Sequence, residues 1–476
     1  VARLKRSESM NGVFQLNEGQ IEKIDGAARA LLRDPGIMLE DEEIYSAVLK
    51  AGAKPGAKPM VARIPAGLID ECLARAPREV RFADRRGGIQ VVGPDSPSRF
   101  WTGAALFYLD KKGFRSIRQK DLADFARVID ALDQVDVIVG TSTEETPPAQ
   151  RDFVGFRIMA QNTSKHLRAL SFSPQGGEVM IAMARVLAGG RSLKETPLFS
   201  MGFTAHGPLR WTSLALGVYR LTAGHGIPVT INGEPMAGAS APVTLAGTAA
   251  VGTAEILAGI AVNQLLEPGR PCLFNLGFAH VMDMRQGFAV TGGPENVLLA
   301  VTGAQMARRY GLPSVAWMCT DSLHYDAQNA LEKMMAAVTH TQAGVSTIWG
   351  VGQVESEKTI SPVQAVIDDE IIAAVRRYLR GFSTDEEHLA VEEIRRVGIC
   401  GSFLDTDHTF AHFRDEVFLP ERLVRVQRMS AGERADLVSR AEDRVDTILT
   451  GDREPVLDEK TERELLAIEK RYTAGL

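Results

Sequence analysis

Residues Gly233 to Gly247 read G-E-P-M-A-G-A-S-A-P-V-T-L-A-G. The largely β-branched run Ile227–Ile231 leads into this stretch, and an alanine-rich, helix-like pattern leaves it through Leu266. The order is strand, small-residue loop, helix, with a single carboxylate, Glu234, just past the strand. Such a loop lets backbone approach a ligand closely, and it stands where α/β folds keep their chemistry. The same composition also suits a plain flexible connector.

The unit repeats. Strand-like segments occur at Val135–Gly140, Leu167–Phe172, Leu198–Phe203, Ile227–Ile231, Cys272–Leu276, Ser314–Met318, Val345–Gly350 and Val397–Cys400. Amphipathic or alanine-rich runs separate them, among them Glu178–Ala188, Ala246–Leu266 and Val363–Arg380. Strands alternating with helices give a parallel sheet, and eight of them close into a (β/α)8 TIM barrel of the α/β class. An open doubly wound sheet wants a glycine-rich turn after its first strand. Here that turn reads G-T-S-T-E-E-T.

Outside the barrel, Ile21, Ile24, Ala27, Ala28, Leu31 and Leu32 recur at helical spacing, and Val80 to Arg118 reads as short strands in hairpins. The predicted division is a helical and β-hairpin extension over 1–132, the barrel over 133–405 and a charged helical tail over 406–476. A formal charge of −6, from 54 basic and 60 acidic residues, leaves no basic footprint for nucleic acid. Cys72, Cys272, Cys319 and Cys400 lie far apart, as in a reducing cytoplasm. The amino-terminal stretch is polar, and no run reads as a membrane span. A homo-oligomer without membrane or nucleic-acid partners is the expected assembly.

In a barrel the site is built from residues just after the strands. Those positions offer Glu234, His206 and Asp321 as candidate catalytic groups. Phe203, Asn232, Asn275, His280, Trp317, Trp349 and Glu355 are the candidate substrate contacts. Acids and aromatics converge with few bases, which suits a cationic or neutral substrate, because aromatic faces attract quaternary ammonium groups. Each aromatic equally fits a core-filling role. His408 and His412 share a helix face, but without further ligands they make no metal site, and none is assigned.

The Gly233–Gly247 stretch, followed by A-E-I-L-A-G, resembles the trimethylamine methyltransferase family, which includes glycine betaine:corrinoid methyltransferases. M-D-M-R-Q-G near 284, A-R-R-Y-G-L-P near 310, T-D-S-L-H-Y-D-A-Q near 324 and V-I-D-D-E-I near 368 agree, as do L-N-E-G-Q-I and L-D-E-K-T near the two ends. The resemblance implies a barrel that moves a methyl group from a small methylated amine to cob(I)alamin. That corrinoid is supplied by a partner protein, with no cofactor held tightly by this chain. Trimethylamine members carry pyrrolysine and this sequence has none, so the chain resembles the non-pyrrolysine branch and implies a quaternary or tertiary amine like glycine betaine. The D-x-H-x-x-G of corrinoid carriers is absent; Asp321-Ser322-Leu323-His324 puts its histidine one place late. A barrel lyase or aldolase and a non-catalytic betaine-binding barrel are the alternatives.

Overall fold

The computed structural model describes residues 14–425 and 436–474. The start of the polar amino-terminal stretch and residues 426–435 of the charged tail lie outside them. Eight parallel strands make one sheet: β1 (Arg99–Thr102), β2 (Val137–Val139), β3 (His166–Arg168), β4 (Phe199–Thr204), β5 (Val229–Asn232), β6 (Cys272–Asn275), β7 (Val315–Trp317) and β8 (Thr347–Val351). β8 returns to pair with β1 through Thr347–Arg99 and Ile348–Phe100. A bridge between Phe274 and Ser314 joins β6 to β7 and closes the ring.

Each strand is followed by its barrel helix: α1 (Gln119–Asp130), α2 (Arg151–Asn162), α3 (Pro174–Leu187), α4 (Ser213–Thr222), α5 (Leu245–Leu266), α6 (Pro294–Arg309), α7 (Ala327–Gln342) and α8 (Pro362–Arg380). The starts are written in the sequence. Ser173, Asp326 and Ser361 cap α3, α7 and α8 by accepting first-turn N–H groups, and Pro174, Pro294 and Pro362 open their helices where no N–H is needed.

Two strand assignments change. The eighth strand expected at Val397–Cys400 does not form: Val391–Val397 is helical, Gly398 turns the chain at φ +73°, and Ile399 is 99% exposed. An apolar pair between two glycines satisfies a local pattern without finding a neighbour to bond. The missing strand is Arg99–Thr102, in the middle of the segment read as hairpins. Locally it is indistinguishable from a hairpin strand, and only its pairing with Val137 on one side and Thr347 on the other places it in the barrel.

The barrel interior is a core of its own. Trp101, Val137, Val139, Leu273, Val315, Trp317 and Trp349 pack there with Val80, Phe82 and Val92. The last three belong to the antiparallel hairpin Val80–Ala83/Ile89–Val92, which plugs the end of the barrel where the strands begin. Ala83 N donates to Pro197 O and Arg85 N to Ser164 O. His166 bridges Ala83 O at 3.1 Å and Ser200 Oγ at 3.0 Å. Burial pushes its imidazole down to about 3, so it sits there neutral.

Helix α5 is 22 residues long and apolar enough to cross a membrane by length and composition, which corrects the reading that no such run exists. Its alanines, glycines and threonines disguise a helix apolar all round. Such a helix is covered all round, and α5 is buried between the barrel and the amino-terminal helices Glu18–Arg33 and Ala66–Arg75. After α8, the helices Leu437–Thr450 and Glu459–Thr473 return to pack on α8 and α1 and on α3 and α2.

Phe82 meets Trp101 edge-on at 5.1 Å and is fully buried. Phe82→Ala is expected to cost about 3–5 kcal/mol, read as a lower midpoint in denaturant unfolding; an unchanged midpoint would show that the hairpin is not part of the core.

Candidate active site

Parallel register puts Thr204, Asn232 and Asn275 side by side at the ends of β4, β5 and β6. Asn275 Nδ2 donates to Asn232 Oδ1 at 2.8 Å, and Asn232 Nδ2 donates to Thr204 Oγ1 at 3.0 Å. This polar rung fixes the amide of Asn232 at the edge of a cavity of about 470 Å³ in the barrel mouth. Every strand or the loop after it contributes to the lining, from Ala104 after β1 to Trp349 on β8.

One wall is aromatic. Trp349 stacks on Trp101 with ring centres 5.2 Å apart, Trp317 lies 4.7 Å from Trp349, and Phe278 meets Trp317 edge-on at 4.6 Å. Phe278, Trp317 and Trp349 face the cavity, while Trp101 is buried behind them. Gln353 holds the wall in place: its Oε1 accepts from Trp317 Nε1 at 2.6 Å and its Nε2 donates to Ala104 O. Phe203 lines the opposite side, stacked on Tyr219 at 3.8 Å.

Arg168, the last residue of β3, points inward and lines the same cavity at 3% exposure. Its Nη1 donates to Ala169 O at 3.0 Å and its Nη2 reaches Thr230 Oγ1 at 3.4 Å, but Nε has no partner. Among the described residues no carboxylate pairs with it, and burial alone pushes the guanidinium down to about 9, still cationic at neutral pH. Its one charge-related contact is the face of Trp349, 4.9 Å away. Space for the guanidinium exists because position 202 is glycine: a Cβ there would lie 1.7 Å from Arg168 Nη2.

Acids gather nearer the opening. Glu234 Oε1 lies 3.6 Å from His280 Nε2. Burial works against the imidazolium, but Glu234 and Glu357 together outweigh it and raise its pKa. Glu357 also lines the cavity, with Cys319 Sγ 3.5 Å from its Oε1. It sits at the end of Glu355–Ser356–Glu357, three successive non-glycine residues in the left-handed region at φ 58°, 50° and 73°. Each such residue costs about 1–3 kcal/mol and persists only where its surroundings over-determine it. Here Glu355 N donates to Ser322 O and Ser356 N to Thr320 O. Ser356 Oγ donates to Asp321 Oδ1 at 2.6 Å, and Thr359 Oγ1 to Glu355 Oε2.

Of the residues expected at the site, Glu234, His206, Phe203, Asn232, Trp317 and Trp349 line the cavity, with His206 exposed at its rim. Asn275 and His280 stand one step behind, through Asn232 and Glu234. Asp321 and Glu355 do not reach it: they fasten the left-handed turn, and Asp321 also accepts from Thr291 N and Gly292 N. Arg168, Glu357 and Gln353 were missed. A lone arginine in a strand buried on both faces was a legible signal for the first; three left-handed residues without a glycine left none for the second. Among the described residues no group of three or more His, Cys, Asp or Glu is placed to hold a metal, the His408–His412 pair included.

The model of a family described as trimethylamine methyltransferase matches residues 5–475. A trimethylamine methyltransferase of Desulfitobacterium hafniense is 29% identical over 96% of this chain and 93% of its own length. One from Methanosarcina acetivorans is 30% identical over 93% of this chain and 92% of its own. The glycine betaine methyltransferase of Desulfitobacterium hafniense is 28% identical over 95% of both. Among solved structures, the monomethylamine methyltransferase of Methanosarcina barkeri superposes with a TM-score of 0.54 over 78% of each chain, at 13% identity, a likeness of fold. From one end to the other, this chain belongs to the trimethylamine methyltransferase family and is a methyltransferase.

Proposed function

We propose that this methyltransferase demethylates a betaine, a small molecule with a quaternary ammonium at one end and a carboxylate at the other, and passes the methyl group to a corrinoid carried by a separate protein. Arg168 carries the reading: a buried, unpaired guanidinium at the inner end of the cavity asks for an anion, which a simple methylamine lacks and a betaine has. A carboxylate on Arg168 directs the ammonium outward, toward the faces of Trp317 and Phe278 and the carboxylate of Glu234. Cation–π attraction and a nearby negative charge hold it there. Its methyl groups then face the opening.

The cavity suits such a substrate but not a corrin macrocycle, so the methyl acceptor works from the mouth. Cob(I)alamin supplies a nucleophile strong enough to displace a neutral amine from carbon. The residues of this chain orient the N–CH₃ bond and exclude water from it. The lyase or aldolase reading wants a strand-end lysine, and the lining offers only Lys358, exposed at the rim. A homo-oligomer stays part of the proposal, supported by Phe382, Ile399, Leu404 and Phe410, all exposed on the segment after α8.

The purified protein is expected to bind glycine betaine without consuming it, and to release dimethylglycine once a corrinoid protein or free cob(I)alamin is added, with methylcobalamin accumulating. Dimethylglycine formed without any corrinoid would overturn the proposal. Arg168→Met and Gly202→Ala, the second by displacing the guanidinium, should each weaken glycine betaine binding about 10- to 100-fold in calorimetry. Tetramethylammonium, which has no carboxylate, should bind much as before. Arg168→Met should also melt at the same or a higher temperature, because it removes an uncompensated buried charge. Equal losses for both ligands would remove the carboxylate from Arg168.

A further inference from the structure

A quaternary nitrogen that loses a methyl group is left with the electron pair of the broken bond. The product amine is born unprotonated inside the cavity, beside the methyl acceptor, and can attack the same methyl group and reverse the transfer. While the amine stays in the cavity, a proton on nitrogen blocks that return. The site therefore needs a proton donor that reaches the cavity and is not already spent as the counter-charge of a neighbour.

Glu234 is spent in this way, on His280. Glu357 is not. It lines the cavity, among the described residues its carboxyl meets only the Cys319 thiol, and its backbone O accepts from Gln353 Nε2 at 3.2 Å, tying it to the residue that holds Trp317. The groups facing it are Cys319, His280, Glu234 and Asp321. The left-handed turn, clamped by Asp321 and Ser356, keeps this one side chain at the opening at a strain that a merely structural loop has no reason to retain.

We propose that Glu357 donates the proton that captures the departing amine, a role that rests on the betaine-demethylation reading. The C–N bond breaks and its pair stays on nitrogen; the methyl group leaves with the acceptor, whose own electron pair forms the new bond to carbon. The Glu357 carboxyl proton then passes to nitrogen. The carboxylate left behind pairs with the new ammonium and faces His280, and solvent restores its proton after release. Burial first, then the negative charges of Glu234 and Asp321, raise this carboxyl to about 7 against the pull of His280, so a proton is available near neutrality. Two carboxylates on one small cavity resist ionising together, and Glu234 is the one in contact with His280.

The test is a single turnover with enzyme and cob(I)alamin in excess over glycine betaine. Its control is dimethylsulfonioacetate, whose sulfide product takes no proton. Glu357→Gln, a neutral isostere of the protonated side chain, should bind glycine betaine within about threefold of the unaltered enzyme yet shift the plateau of methyl transfer back by about tenfold or more. Glu357→Asp should recover part of the plateau, and the sulfonium should transfer equally with either side chain. Binding weakened more than about tenfold by Glu357→Gln would make Glu357 a counter-charge and overturn the proposal. So would an unchanged plateau, or an equal loss with the sulfonium. No transfer from glycine betaine by the unaltered enzyme would overturn the betaine reading itself, and the proposal with it.

Discussion

A guanidinium buried without a counter-ion is among the most expensive things a fold can hold, because desolvation of a charge costs several kcal/mol even after the protein relaxes. Arg168 is such a group, and several features of the barrel interior accommodate it. Gly202 leaves its Nη2 room, Trp349 gives it a π face, and the Ala169 carbonyl takes one N–H. Those contacts hold its position without neutralising it. A charge kept in place but unpaired is the natural complement of a ligand anion, which is why the proposed betaine is placed carboxylate first.

The fold supports this from both ends. Below, the hairpin carrying Phe82 fills the barrel and seals the side away from the mouth, so that Trp101 and Trp349 rest on packed side chains. Above, the loops after β7 and β8 are locked together through Asp321, Ser356, Ser322 and Thr320, which sets the left-handed turn and with it Glu357. The buried Lys333–Asp368 pair braces the same corner, with Lys333 Nζ on Gly350 O and Asp368 accepting from Gly352 N. Rigidity at this rim matters because methyl transfer depends on how well the bond to the methyl group is aimed.

The barrel was legible in the sequence because strand–helix alternation survives in local pattern, and seven of the eight strands were placed from it. The error at Val397–Cys400 and the omission of Arg99–Thr102 share a cause: a short strand is defined by its neighbours, and those of Arg99–Thr102 are 36 and 248 residues away in the chain. For the site, residues at or just past a strand end, such as Asn232 and Glu234, were readable from position alone. Asp321 and Glu355 also follow strands, yet their hydrogen bonds turn them toward backbone. Position told which residues were near the mouth; it did not tell which way each one faced.

The most direct measurement is a high-resolution structure of the enzyme with glycine betaine bound. The carboxylate is expected within about 3 Å of the Arg168 guanidinium, with the trimethylammonium group against Trp317 and Phe278 and a methyl group toward the opening. A carboxylate turned to solvent, with the ammonium deep in the cavity or Arg168 bridged only by water, would contradict the assignment of this cavity to a betaine.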